Sequence, residues 1–158
     1  MYHSISFYHK SGNSWYKFAN TWDDWHLIPV SRPVIKPPKV NERLIEVPGR
    51  DGLLDITEAV NGTTTFGNRE GSWDFYIVLG DYFNTYWGSE QECYDRVMND
   101  VHGKKLRVEF EDMLPGTYYE GRIKVDSWDP DDIGKITISY SLNPYKIITP
   151  VPPGGNQF

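Results

Sequence analysis

Four histidines, one cysteine and a run of closely spaced aspartates are the residues of this chain whose types could do chemistry. Asp126, Asp129, Asp131 and Asp132 gather enough oxygen to interest Ca²⁺. Their spacing is not that of an EF-hand loop, and no closing bidentate glutamate follows at the right distance, so they read as a solvated turn. His3, His9, His26 and His102 are scattered, without the HExxH or i, i+4 pairing that a metal-activated water needs. They read as surface or interface histidines. Cys93 and His102 fall on one short predicted helix more than two turns apart, where their side chains cannot share a proton. The thiol reads as a small buried residue. No GxSxG, GxGxxG or GxxxxGK[ST] pattern occurs, which removes the backbone signatures of hydrolase elbows, dinucleotide folds and phosphate loops. The expectation is therefore no catalytic, cofactor or metal residue and no enzyme. A pair of convergent carboxylates acting on cell-wall glycans stays open as a rival.

Aromatic side chains offer a different chemistry, the stacking of a sugar ring or a base. Trp15, Tyr16, Trp22, Trp25, Tyr82, Phe83, Tyr86 and Trp87 are candidates, and Trp22, Trp25, Tyr86 and Trp87, in the clusters TWDDW and DYFNTYWG, mark a candidate interaction surface. Core and protein interface is the preferred reading. Asn61 opens an Asn-Gly-Thr sequon with no secretory pattern beside it, and is read as a turn.

The elements that must position these residues follow from composition. With 158 residues and 39% hydrophobic content, one domain with a modest appendage is expected. Aromatics at 15%, beside 14 Gly and 11 Pro, suit strands and turns better than helical bundles. A formal net charge of -6 removes any general electrostatic footprint for nucleic acid and leaves room only for a local basic patch. A single cysteine excludes an intrachain disulfide framework. No apolar run approaches the roughly 20 residues that cross a bilayer, and the N-terminus lacks a signal pattern, so a soluble protein made in a cytoplasm is expected, with no membrane insertion.

Along the chain, residues 4–22 read as a hairpin around Lys-Ser-Gly-Asn-Ser. The next stretch carries prolines at 29, 33, 37, 38 and 48, which remove backbone donors and hold φ near -65°, so no central strand or helix runs through it. It reads as an extended arm over about 24–50, with Pro29, Arg32, Pro33, Pro37, Pro38 and Pro48 as its candidate intersubunit contacts. Gly49, Arg50, Asp51 and Gly52 form a corner, after which Leu53, Leu54 and Ile56 are expected to re-enter apolar surroundings. A half-buried strand starts near Trp73. Residues 89–102 read as the one helix, with a Ser89 N-cap, Glu92 at capping-box spacing, and Gly103 closing it. Strands follow near 106–110, 118–127 and 135–142, and the Pro- and Gly-rich residues 149–158 read as a flexible tail.

Several motifs, taken in order, carry a family resemblance. They are Trp-x-Leu at Trp25 and Leu27, the proline-spaced arm, Val-Pro-Gly-Arg-Asp-Gly at 47–52, Leu-Asp-Ile-Thr at 54–57, and Asn68-Arg69 before an aromatic strand. After the helix come His102-Gly103, Tyr-Tyr-x-Gly-Arg at 118–122, and Asn-Pro-Tyr-Lys at 143–146. In combination the chain resembles the N-terminal domain of distal tail (Dit) proteins of siphophages and prophages infecting Gram-positive bacteria. The resemblance implies a tail-tube-like β-sandwich with one flanking helix and an arm reaching along its neighbour. It implies a structural component of the virion, at the phage tail tip, synthesised in the host cytoplasm. The subunits would form a hexameric ring, a homo-oligomer joining the tail tube protein to the tail-associated fibre or lysin hub, with DNA only as passing cargo. In that frame residues 1–148 are the ring-forming domain. Many members carry a further carbohydrate-binding domain; the sequence here ends without one, and a ring-only adaptor is expected. An acidic lumen would repel phosphate and let DNA slide. A tail-tube or other baseplate subunit of the same fold, or a carbohydrate-binding module contacting the cell wall, is the alternative.

Overall fold

The computed structural model describes residues 2–59 and 62–148. The expected tail at 149–158 and the sequon residue Asn61 lie outside the described residues.

Chain order is β1 (Ile5–Ser11), β2 (Ser14–Asn20), β3 (Leu27–Pro29), β4 (Leu44–Glu46), β5 (Leu53–Asp55), β6 (Arg69–Ile77), α1 (Glu90–Val101), β7 (Lys104–Phe110), β8 (Thr117–Asp129), β9 (Lys135–Leu142) and β10 (Ile147–Ile148). The body is one antiparallel sheet in the order β2-β1-β7-β8-β9-β6-β3, with β10 added to β8. It is mainly β, as the composition implies, with one flanking helix where the capping pattern at Ser89 predicts it.

Alternation builds the core. Trp73, Phe75 and Ile77 of β6, Ile136, Ile138, Tyr140 and Leu142 of β9, and Ile123 and Val125 of β8 point inward at every second position. Leu106, Val108 and Phe110 of β7 and Ile5 and Phe7 of β1 continue the same face. The sheet closes over this face instead of lying flat. Trp73 and Phe110 meet edge to face at 5.5 Å between ring centroids, although β9 and β8 lie between their strands. A flat sheet would hold strands that far apart at about 14 Å. One continuous sheet thus supplies both layers of the body.

Local chemistry places the turns. Gly12 at φ 63° opens the two-residue connection of the first hairpin. Leu114-Pro115-Gly116-Thr117 turns β7 into β8, with Gly116 at φ 85° and the Thr117 amide donating to the Leu114 carbonyl at 3.2 Å. Proline then glycine at positive φ is the type II pattern. Gly121, in the middle of β8, answers to packing: a Cβ there would lie 2.1 Å from the Ser141 carbonyl oxygen.

The helix is capped as its sequence predicts. Ser89 Oγ accepts from the Glu92 amide at 3.2 Å, and the Glu92 carboxylate accepts from the Gly88 amide at 2.9 Å. Cys93, Val97 and Val101 face the core, and Tyr94 stacks on Trp128 of β8. At the far end His102 caps α1 and its Nδ1 accepts from the Val125 amide at 3.0 Å. Gly103 adopts φ 75° and donates to the Ile123 carbonyl at 2.8 Å.

Trp25 and Leu27 are fully buried, so the first residues of the expected arm belong to the body. Leu27–Pro29 pairs with the outer edge of β6, where a proline removes no ladder bond that the sheet needs.

Candidate functional site

Residues 30–41 cross the body in extended form, and nearly every bond they make is to groups of β6, β9 or the segment just before β6. The Val30 amide donates to the Asp74 carbonyl at 3.0 Å, and the Trp73 indole donates to the Val34 carbonyl at 3.0 Å. The Lys36 amide donates to the Tyr140 hydroxyl at 2.9 Å. Burial pushes that phenol up despite the amide bond, so it stays protonated through neutral pH. Further along, the Asn41 amide donates to the Thr65 carbonyl at 3.0 Å, and Val40 bridges Phe66. Pro33 is buried and Ile35 half-buried against the core.

Arg69 is the clamp. Its guanidinium is buried, donates from Nε to the Pro144 carbonyl at 3.0 Å and from Nη1 to the Lys36 carbonyl at 3.2 Å, and lies 5.2 Å from the Tyr119 ring centroid. One side chain thus ties the arm, β8 and the segment after β9 together. Four motifs of the sequence meet at this point: Asn68-Arg69, Tyr118 to Arg122, Asn143 to Lys146 and the proline arm. A second tie sits at the arm's root, where Arg32 and His3 both reach Asp112, at 3.3 Å and 2.9 Å. Burial alone would raise the Asp112 carboxyl, but the His3 hydrogen bond and the Arg32 and His3 charges outweigh it and hold the group below its ordinary value.

Beyond residue 41 the chain leaves the body. β4 and β5 pair with each other and with no other strand among the described residues. At the tip, Val47-Pro48-Gly49-Arg50 forms a turn closed by the Arg50 amide on the Val47 carbonyl at 3.2 Å, and Gly49 and Gly52 both adopt φ 77°. Gly49, Arg50, Asp51 and Gly52 are therefore the head of a β-hairpin, and the chain returns along β4 instead of into its own core. At the base, the Ile56 amide donates to the Arg43 carbonyl at 2.8 Å, and Asp55 accepts from both the amide and the hydroxyl of Thr57. That pair of bonds holds the Asp55 carboxyl low. The expected re-entry of Leu53 into apolar surroundings does not occur: Leu44, Ile45 and Leu53 stand 45%, 43% and 54% exposed. The signal for a hairpin was in the sequence, as short aliphatic runs on either side of Pro-Gly and Asp-Gly.

The aromatic candidates divide. Trp25 is fully buried and cannot belong to a surface; its indole donates to Asp100 at 2.9 Å, and its carbonyl accepts from the Trp87 indole at 2.8 Å. Trp22 stacks on Tyr2 at 3.9 Å, and Tyr86 stacks on His26 at 3.8 Å, so each of these faces is already covered by a ring of the same chain. Tyr82 and Phe83, by contrast, are 95% and 87% exposed on a loop that Asp81 braces through bonds from the Phe83 and Asn84 amides and the Tyr86 hydroxyl. Tyr-Phe between Gly-Asp and Asn was the available signal for them.

The residues with catalytic types are engaged in structure. Cys93 sits on the core face of α1 with its thiol pushed up to about 12, chiefly by burial. Asp129 accepts from the Asp131 amide at 3.1 Å, and Asp132 faces Lys135 at 3.9 Å in the β8–β9 turn. Among the described residues no group of three or more His, Cys, Asp or Glu is arranged to hold a metal ion, and no helix is long and apolar enough to cross a membrane.

With the geometry in place, comparison with known proteins defines the class of fold. No protein-family model matches the chain, and no curated protein matches it in sequence. Among solved structures it is similar to the crystal structure of SPP1 Dit (gp 19.1), described as a paradigm of the hub adsorption apparatus in phages infecting Gram-positive bacteria. The TM-score is 0.53 at 18% identity, over 90% of this chain and 51% of that one. The chain therefore has a Dit-like fold and spans about half the length of SPP1 Dit.

Proposed function

We propose that this protein is a ring-forming subunit of a phage tail tip, a non-enzymatic component of the virion. Six copies close into a ring that joins the tail tube to the distal hub and leaves a channel for DNA. The observation that carries the reading is the β4–β5 hairpin. A two-stranded hairpin alone is marginal in water, yet this one holds Leu44, Ile45 and Leu53 in solvent at the end of an arm clamped to the body. Exposed aliphatics on a pre-shaped element are what an adjacent subunit would cover. A head-to-tail contact of this kind closes into a ring when its rotation matches. The Dit-like fold supports the same reading.

In this reading the arm divides its work. Pro33 and the backbone of residues 30–41 hold the arm to its own subunit, while the hairpin reaches the neighbour. The test is native mass across a concentration series, with negative-stain images of large species, for the natural chain and a Leu44→Ser/Ile45→Ser/Leu53→Ser variant. Open rings from the natural chain and monomers from the variant are expected. Rings formed equally well by the variant would sink the hairpin's role. A tail-tube subunit of the same fold would instead stack into long tubes. The exposed Tyr82 and Phe83 faces favour one other reading, a saccharide contact at the cell wall; quenching of aromatic fluorescence by cell-wall saccharides, lost in Tyr82→Ala/Phe83→Ala, would support it.

A further inference from the structure

We propose that the solvent face of β7, β8 and β9 binds the phosphodiester backbone of DNA, without reading its sequence. On this face β8 sets Arg122 and Lys124 two residues apart, both exposed, and β7 places Lys105 directly opposite Arg122. β9 brings Ser141 beside Arg122 and Ser139 beside Lys124. Lys105, Arg122, Lys124 and Ser141 border a shallow depression of about 340 Å³ that also takes in Asn68 and Asn143.

Lys105 and Arg122 stand directly opposed across the β7–β8 pair, an arrangement of like charges that destabilises a sheet unless a carboxylate offsets it, as Glu120 does for Lys105 at 3.8 Å. A chain with net charge -6 has no surplus of cations to scatter there by chance. Among the described residues neither Arg122 nor Lys124 has a carboxylate within 4 Å. Glu120, two residues before Arg122 on β8, lies 3.8 Å from both Lys105 and Arg107, and Glu70 shares an adjoining depression with Arg122 and Lys124.

The donors are also oriented. Arg122 gives one N–H to the Gly103 carbonyl at 2.6 Å, just past the end of α1, which fixes the guanidinium and leaves its other donors for a ligand. Ser141 accepts from the Asn68 amide at 3.1 Å and so keeps its own proton to donate. A face of N–H and O–H donors with three cations suits phosphate oxygens. No aromatic ring lines the depression for a base to stack on, so contact runs through phosphates alone. The cations spread over two strands and about 7 Å along β8, a span suited to a chain of phosphates more than to one ion. This contact needs only the folded chain, whether or not it assembles.

The test is fluorescence anisotropy of a labelled 20-base-pair duplex against the full chain. At 50 mM salt the natural protein binds, and raising salt to 200 mM weakens binding about 40-fold if three phosphates are neutralised. Arg122→Glu/Lys124→Glu weakens binding at least tenfold, with an unchanged melting temperature showing that the fold survives. Lys10→Glu/Lys17→Glu makes the same charge change on exposed positions of β1 and β2 and leaves binding intact. Inorganic phosphate at equal phosphate concentration fails to displace the duplex. The proposal is overturned by no binding at 50 mM salt, by equal loss in both variants, or by full displacement with inorganic phosphate.

Discussion

The body and the hairpin use the same local chemistry and end in opposite places. Pro115-Gly116 and Pro48-Gly49 form matching turns, each with glycine at positive φ and an amide closing on the carbonyl three residues back. After the first, β8 delivers Tyr119, Ile123 and Val125 into a closed core. After the second, β5 leaves Leu53 more than half exposed. A turn sets the direction of the chain; whether the next strand is buried depends on which other strands lie within reach. β8 has β7 and β9 on either side, whereas among the described residues β5 has only β4.

That contrast can be broken in graded steps. The largest effect is expected from Gly121→Val, because its Cβ would meet backbone at 2.1 Å on a central strand that cannot move aside. A loss of about 4 kcal/mol or more is expected, read as loss of the cooperative transition in urea. Arg69→Ala comes next: it leaves the Pro144 and Lys36 carbonyls without their charged donor, at a cost of about 3 kcal/mol. Its particular signature is faster proteolysis within residues 30–41, and uniform protection there would show that the arm holds without the clamp.

Gly52→Val should act on the hairpin alone. A β-branched residue at φ 77° costs about 1–2 kcal/mol, but the strain falls on an element that the body does not depend on. Monomer melting is expected to stay near that of the natural chain while assembly weakens; a variant that assembles normally removes the need for this backbone shape.

The smallest effect concerns pH at the arm's root. Asp112 is depressed in the folded protein, so its contribution is present above the ordinary carboxylate value of about 4 and is lost as pH falls through the lower folded value. Asp112→Asn should therefore be less stable than the natural chain at pH 7, with the gap closing below about pH 4. A gap that is constant with pH would mean that the carboxylate charge plays no part.

Much of this architecture is legible in the residues themselves. Alternation marks β6 and β9, the Ser89 and Glu92 spacing marks the start of α1, and Gly103 marks its end. These signals are local, because caps, turns and strand faces are decided within a few residues by backbone sterics and hydrogen-bond need. The same reasoning prefers a core or interface role for the aromatics but cannot separate Trp25 from the candidate surface residues, since a tryptophan between aspartates and a histidine gives no local sign that its indole will find Asp100 across the core. It also places Leu53 indoors, because an aliphatic strand looks the same whether or not a sheet waits to receive it.

By itself, then, the sequence determined a mainly β chain with one capped helix, a proline-held arm and two Pro-Gly turns. Only the tertiary structure decided that one sheet curls to make both layers, that Arg69 pins the arm to its own body, and that Lys105 and Arg122 share one face. Those facts join residues dozens of positions apart, and long-range contacts of this kind follow from strand register and packing, which no short window of sequence contains.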